Sequence, residues 1–364
     1  MRHPLHSLCP YFAMFPEDFV TKQVFAYTER GDIIFDPFCG RGTTIFESLL
    51  NHRPAYGVDI NPVAACVAGA KADVPTLPAV HARIEDLRIR CGQYERLAEP
   101  AGEFFKFCFH ERTLREILFL REILNWRDSR VDRLITAIAL SCLHGESHKS
   151  INCLSNRMPR TISTKPKYSV KWWSQRALLP PERNTFEILS RVATFRLSYV
   201  KAPLRGRVKL HDARTASTAF PKLRGQVRLI VTSPPYLDTT DYAEDQWLRL
   251  WFLGGAERPL LNKNKDDRHT SIDLYWKFLS EAWAGCASLL SEGAVLVVRL
   301  GGTRLNKETL LKGLRGTLKT GFADRKIEAL HPGVTTEIRN RQTNVFRPGT
   351  LPGRFEHDFA FSVG

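Results

Sequence analysis

The chain has 364 residues, 43% of them hydrophobic, with 53 Lys and Arg against 38 Asp and Glu and a net charge of +15. It is long enough for one large core or two smaller ones, and no apolar run reaches the roughly 18 residues a membrane helix needs. The N-terminus MRHPLHSLCPYF lacks an apolar signal core, and the eight cysteines contain no CxxC pair, so a cytoplasmic chain with buried thiols is expected rather than a disulfide or zinc scaffold.

Residues 17–30 predict a helix, with acids early and Gly31 as its stop. DIIFD (32–36) is a short apolar strand and TTIFESLLNH (43–52) a second helix. AYGVDI (55–60) is a strand ending in Asp59. It is followed by a helix over 61–72, capped by Asn61 with Pro62 at its first position. This β–α–β–α order predicts a parallel sheet wound with helices.

Between about 76 and 207 strand signals become sparse. Val131, Leu134, Ile135, Ile138 and Cys142 recur at helical spacing over 129–143, and Leu114, Ile117 and Leu118 predict a helix before it. The segment from His144 to Arg183 is rich in Ser, Asn, Pro and basic residues and predicts a largely irregular stretch. Strands return at 207–213, 227–236 and 293–302, the last preceded by a helix over 273–290, and the C-terminal part supplies two more strands. The expected organisation is a Rossmann-like α/β domain in two parts, 1–75 and 208–364, interrupted by a mainly helical insert at 76–207.

The excess charge is concentrated. From Arg157 to Arg207 there are twelve Lys and Arg and two Asp and Glu, a local charge of +10. A merely soluble surface would spread it, so a polyanionic partner is expected, nucleic acid first. Arg157, Arg160, Lys165, Lys167 and Lys171, interleaved with Tyr168, Trp172 and Trp173, are the candidate contacts. Packing of the tryptophans into the insert, with the charges on a solvated face, is the competing reading.

Two stretches carry chemistry. The turn after the first strand, FCGRG (38–42), is neither a P-loop nor a GxGxxG fingerprint. It offers close backbone approach at Gly40 and Gly42 and a helix N-terminus at Thr43, which favours a carboxylate or phosphate. Asp36 is placed to meet a cation, and Asp59 stands where such folds set an acid on a ribose diol. An amino acid joined to a nucleoside fits all three, and S-adenosylmethionine is such a molecule. The second stretch, LIVTSPPYLD (229–238), runs an apolar strand into Ser233-Pro234-Pro235-Tyr236. Two prolines fix two φ angles and leave carbonyls free to accept. Ser233 adds an oxygen and Tyr236 a flat aromatic face, an arrangement suited to a planar base with an exocyclic amine.

With both motifs in place, the chain resembles the S-adenosylmethionine-dependent DNA amino-methyltransferases of the cytosine-N4 and adenine-N6 type. Their cofactor motif is similar to Asp36-Pro37-Phe38-Cys39-Gly40-Arg41-Gly42-Thr43-Thr44, and their catalytic motif to Ser233-Pro234-Pro235-Tyr236. The resemblance implies cofactor contacts from Phe15 in YFAMFPEDFV (11–20), from Asp36, Phe38, Gly40, Gly42, Thr43, Thr44 and Asp59, and from Asp212 in LHDA. Arg41 stands where serine is usual, and the cofactor motif precedes the catalytic one. The implied activity is methylation of a flipped base in double-stranded DNA. Cytosine N4 is favoured by the leading serine, with adenine N6, an RNA amino-methyltransferase and an inactive DNA-binding relative as alternatives. Association with the nucleoid and a partner restriction or defence protein would be consistent with that activity.

Overall fold

The computed structural model describes residues 2–9, 16–94, 100, 102–145, 150–158, 165–199, 202–237, 246–259, 271–302, 305–338 and 354–364. Phe15 and Arg160, both expected at functional sites, lie outside the described residues.

The fold is mixed α/β, with a central and mostly parallel sheet. The chain divides into two compact units. One comprises 11–72, 202–240 and 262–364; the other comprises 1–10, 73–201 and 241–261. This differs from a single insert at 76–207, because segments 1–10 and 241–261 group with the helical unit. For 1–10 the attachment includes Arg196 donating to the carbonyl of Pro4 and to Ser7 Oγ at 2.6 and 2.7 Å; for 241–261 it is apolar. The short helix Trp247–Phe252 buries Trp247 and Trp251 against Phe104 and Phe105 of the helical unit, with ring centroids 4.6–6.1 Å apart.

Among the described residues the sheet unit contains eight strands: β1 (Ile33–Asp36), β2 (Ala55–Asp59), β3 (Arg207–Leu210), β4 (Val227–Thr232), β5 (Leu290–Gly302), β6 (Ile327–Ala329), β7 (Val334–Ile338) and β8 (Arg354–Val363). Their order is β3-β2-β1-β4-β5-β8-β6, with β7 also paired to β8. The first five run parallel, and β8 is antiparallel to β5, β6 and β7. The strand order reverses direction between β1 and β4, and in such sheets ligands bind at the carboxyl ends of the strands beside that switch.

Helices α1 (Glu17–Tyr27), α2 (Thr43–Leu50) and α3 (Pro62–Ala72) follow the sequence expectations to within a few residues. On one sheet face α1 packs Phe19, Val20 and Val24 on Ile34, Val231, Val297 and Ala360. The other face carries Phe35, Ile230, Leu296 and Phe359 under the helix Ile272–Ala287. Strand β4 ends at Thr232 and not at 236, because Pro234 and Pro235 have no N–H for the ladder. Three C-terminal strands form where two were expected.

The helical unit contains α4 (Leu77–Gly92), α5 (Glu103–Cys108), α6 (Glu111–Ile123), α7 (Arg130–Cys142), α8 (Pro166–Ser174) and α9 (Thr185–Leu197). The expected helices at 129–143 and around 114–118 are α7 and α6. The stretch expected to be irregular is interrupted by α8, which Pro166 starts at a position where its missing N–H costs nothing. All eight cysteines are buried and none forms a disulfide. Among the described residues no helix is long and apolar enough to cross a membrane, and no cluster of three or more metal-ligating side chains occurs.

Candidate active site

The glycine turn leaves β1 at Asp36 and enters α2 at Thr43. Gly40 and Gly42 have φ of +51° and +76°, the left-handed region where glycine alone is unstrained. A β-carbon on Gly42 would stand 2.8 Å from Ala68 of α3, so the turn lies directly on that helix. Three further groups fix it. Lys71, 1% exposed, donates from Nζ to the carbonyl of Arg41 at 2.6 Å. The Arg41 guanidinium is itself buried, 3.5 Å from Glu17 Oε1. Asp59 Oδ2 accepts the N–H of Gly40 at 2.8 Å. Arg41 is therefore paired with α1 beneath the turn.

Asp36, placed by the sequence to meet a cation, is buried. Its carboxylate is 1% exposed and accepts from Thr232 Oγ1 at 2.6 Å and from the N–H of Phe38 at 3.0 Å. It ties the end of β1 to the end of β4, the strand leading into Ser233. Burial pushes its carboxyl up to about 6, against the hydrogen bonds from Thr232, Phe38 and Thr44. Burial also pushes Asp59 up to about 7; the N–H groups of Asn61 and Gly40 oppose this, and the nearby Asp36 adds to it. Thr43 and Thr44 are buried, and Thr44 Oγ1 donates to the carbonyl of Val231 at 3.1 Å. Phe38 turns toward the core, edge-on to Phe278 and Trp283.

Asp212 lies two residues beyond β3, next to β2, where the N–H of His211 bonds the carbonyl of Asp59 at 3.0 Å. Its carboxylate is held in a fork by Arg214, at 3.1 Å to Nε and 2.6 Å to Nη2. The β1 turn, Asp59, Asp212 and Ser233 thus follow the carboxyl ends of neighbouring strands β3, β2, β1 and β4.

In the second motif Ser233 and Pro235 are half-buried, while Pro234 and Tyr236 are buried. Ser233 Oγ donates to Tyr236 Oη at 3.3 Å, and Tyr236 Oη donates to Glu356 Oε1 at 3.1 Å. Tyr236 is 8% exposed. Its hydroxyl is drawn inward by Glu356, and burial together with that carboxylate raises the phenol well above its usual range. Burial also raises the Glu356 carboxyl, opposed by Arg299.

The sequence reading missed Glu356, Arg299, Asp358 and Thr232. A signal for Arg299 was present, since an arginine inside the apolar strand VLVVRLGG demands a buried partner. That partner is Asp358, forked at 2.6 and 2.8 Å, on a strand 59 residues later.

Of the expected nucleic-acid contacts, Arg157, Lys165, Lys167 and Lys171 are exposed on the helical unit. Trp173 is fully buried, with Nε1 donating to the carbonyl of Arg157 at 2.6 Å. Trp172 is half-buried under the Arg176 guanidinium, 4.7 Å from the ring centroid.

Residues 3–68 match the family model described as DNA methylase, of the N6/N4 methyltransferase type. The chain is 32% identical over 81 residues to the orphan methyltransferase M.BamHII of Bacillus amyloliquefaciens, an overlap covering 22% of this chain and 30% of that relative. S-adenosylmethionine is the methyl donor that the DNA methylase match implies. Among solved structures, the rRNA methyltransferase aviRa from Streptomyces viridochromogenes aligns with a TM-score of 0.38 at 13% identity, covering 100% of this chain and 90% of its own. A SAM-dependent methyltransferase from Methanosarcina mazei aligns with a TM-score of 0.37 at 10% identity, covering 96% and 98%.

Proposed function

We propose that this chain is an S-adenosylmethionine-dependent DNA methyltransferase acting on the exocyclic N4 amine of cytosine in double-stranded DNA. The observation that carries the reading is the Thr232–Asp36 hydrogen bond of 2.6 Å. It joins the strand that ends in the glycine turn to the strand that ends in Ser233-Pro234-Pro235-Tyr236, at the switch point of the sheet. The DNA methylase match over 3–68 supports the first half of that site.

The residues suit the cofactor. The α2 N-terminus and the backbone of Gly40 and Gly42 offer donors to a carboxylate. Asp59 retains a lone pair on each oxygen for a ribose hydroxyl, and Asp212 is an oriented acceptor next to it. Asp36 and Asp59 give the turn a carboxylate pair whose ionised form a nearby ammonium or sulfonium would favour. Phe15 belongs to the same proposal through the resemblance of its segment. When bound, S-adenosylmethionine supplies the methyl group.

The protein's part is positioning. A base amine is a weak nucleophile because its lone pair is delocalised into the ring. Ser233 Oγ and the carbonyl of Pro234 accept the two N–H bonds and free that lone pair. The prolines hold those acceptors rigid, and Tyr236 anchors Ser233 from behind. The amine nitrogen would then bond the methyl carbon as the methyl–sulfur bond of the bound cofactor breaks, its electron pair going to the sulfur, and the proton lost from nitrogen would pass to water, with orientation as the main source of rate. A base in a duplex must be flipped out to reach such a site, at a cost of a few kcal/mol. The exposed Arg157, Lys165, Lys167 and Lys171, with Arg160, are the proposed phosphate contacts.

The same acceptors serve the N6 amine of adenine, and the matched family model spans both types. The test is nucleoside mass spectrometry of unmethylated genomic DNA incubated with the chain and S-adenosylmethionine. N4-methylcytosine is expected; N6-methyladenine alone moves the assignment to adenine, and no methylated base overturns the reading.

A further inference from the structure

Behind Ser233 runs a chain of hydrogen bonds whose far end is fixed. Ser233 Oγ donates to Tyr236 Oη at 3.3 Å, and Tyr236 Oη to Glu356 Oε1 at 3.1 Å. Glu356 Oε2 stands 3.3 Å from Arg299 Nη1, and Arg299 is forked onto Asp358. Arg299 is 4% exposed, and the ring of Phe19 covers its guanidinium with its centroid 3.9 Å away. Gly301, next to Arg299's neighbour on β5, makes room for the contact. A β-carbon there would stand 3.0 Å from Tyr236 Cε2 and 3.1 Å from Glu356 Cγ.

The direction of such a chain follows from its ends. A carboxylate has no proton and can only accept. The phenol proton therefore goes to Glu356, and the phenol oxygen is left to accept from Ser233. That commits the one proton Ser233 carries and leaves its lone pairs for another donor. This matters for an attacking amine. A serine proton free to rotate would donate to the nitrogen lone pair and compete with the methyl carbon for it. An aspartate or asparagine oxygen in that position has no proton to place; a serine does.

We propose that Glu356, held by Arg299 and Asp358, is a positioning residue that fixes the direction of the Tyr236–Ser233 hydrogen bonds, so that Ser233 Oγ meets the substrate amine only as an acceptor. This rests on the function proposed above. Glu356 touches no substrate; it acts through Tyr236. Glutamine at 356 keeps the shape but brings an NH2 group that donates to the phenol oxygen and allows the chain to reverse.

The test uses the full chain, unmethylated genomic DNA and S-adenosylmethionine carrying a labelled methyl group. Single-turnover rates, KM for DNA and calorimetric cofactor affinity are compared for wild type, Glu356→Gln, Tyr236→Phe and Ser233→Ala, and for Ser233→Ala combined with Glu356→Gln. Glu356→Gln is expected to lower the single-turnover rate on the order of tenfold or more, with KM and cofactor affinity within about twofold. Tyr236→Phe keeps the ring and the Arg299–Asp358 pair, and it is expected to lose a similar factor even if Glu356→Gln folds poorly. In the Ser233→Ala background there is no proton to place, so Glu356→Gln is expected to cause no further loss. A wild-type rate in Glu356→Gln and Tyr236→Phe, or an equal loss in both backgrounds, overturns the proposal. Wild-type turnover separates the two readings. An active wild type with unaffected variants overturns the relay alone, whereas a wild type inactive on DNA overturns both.

Discussion

Asp59 Oδ2 accepts the N–H of Gly40 at 2.8 Å, so the acid that ends β2 holds the turn that ends β1. Its other oxygen accepts the N–H of Asn61 at 2.8 Å, at the entrance to α3. Asp59 thus ties the turn after β1 to the start of α3, besides being the proposed ribose contact. Losing a hydrogen bond to a charged group costs about 1.5–3 kcal/mol. Asp59→Ala is expected to weaken S-adenosylmethionine binding by about tenfold or more in calorimetry, with Asp59→Asn, which keeps one acceptor, in between. Wild-type affinity in Asp59→Ala would place the cofactor elsewhere.

Gly42 carries two constraints at once. Its φ of +76° strains any side chain, and a β-carbon would meet the Cα and Cβ of Ala68 at 2.8 Å. The sequence motif points only to ligand approach; the structure adds packing of the turn on α3. Gly42→Ala is expected to cost about 1–3 kcal/mol of stability, read by urea denaturation, as well as cofactor affinity. An alanine variant of unchanged stability would show that the turn does not rest on α3.

Asp36 and Asp59 make stability depend on pH in a stated direction. Their folded values of about 6 and about 7 stand above the ordinary 3.8, so the native state binds more protons between about pH 4 and pH 7. Their contribution is therefore full below pH 4 and is lost as pH rises through 6 and then 7. In Asp36→Asn, Oδ1 still accepts from Thr232 and Phe38, and the Asp36 share of the dependence disappears. Thermal melts from pH 5 to 8 are expected to show a smaller decline for this variant than for wild type. Parallel curves would mean that Asp36 is not perturbed by folding.

What the sequence made legible was local. The strand–turn–helix at 33–50 follows from residues that dictate their own backbone, glycine above all; the prolines that stop β4 at Thr232 were read as part of a strand running to 236. Asp36 was found as an acid at a strand end, but its burial against Thr232 depends on which strands are neighbours, and β1 and β4 lie almost 200 residues apart. Glu356 was invisible for the same reason. In RFEHDFAFSV it reads as one alternating polar residue, and only the pairing of β8 with β5 brings it to Arg299 and Tyr236. The two-unit division was missed at 241–261 because the tryptophans that attach this segment to Phe104 and Phe105 carry no local signal of their partner.

The basic helix α8 separates two readings that the sequence left together. Trp173 is fully buried with its Nε1 bonded to the carbonyl of Arg157, so this tryptophan is core. Lys165, just before the same helix, and Lys167 and Lys171 on it are exposed, as is Tyr168 at 54%. Truncating a buried tryptophan costs about 3–5 kcal/mol, so Trp173→Ala is expected to lower DNA binding only by unfolding the unit, and its melt would reveal this. The lysines give the clean test, because exposed charges are changed with little effect on folding. Each lysine that contacts a phosphate releases counterions on binding, and its loss reduces the slope of log K against log salt by about one. Lys165, Lys167 and Lys171 changed together to Gln are expected to weaken binding to duplex DNA, to flatten that slope by up to about three, and to leave S-adenosylmethionine affinity unchanged. A slope equal to wild type would move the phosphate contacts off α8. Residues 339–349, RNRQTNVFRPG, would then be the next basic stretch to neutralise.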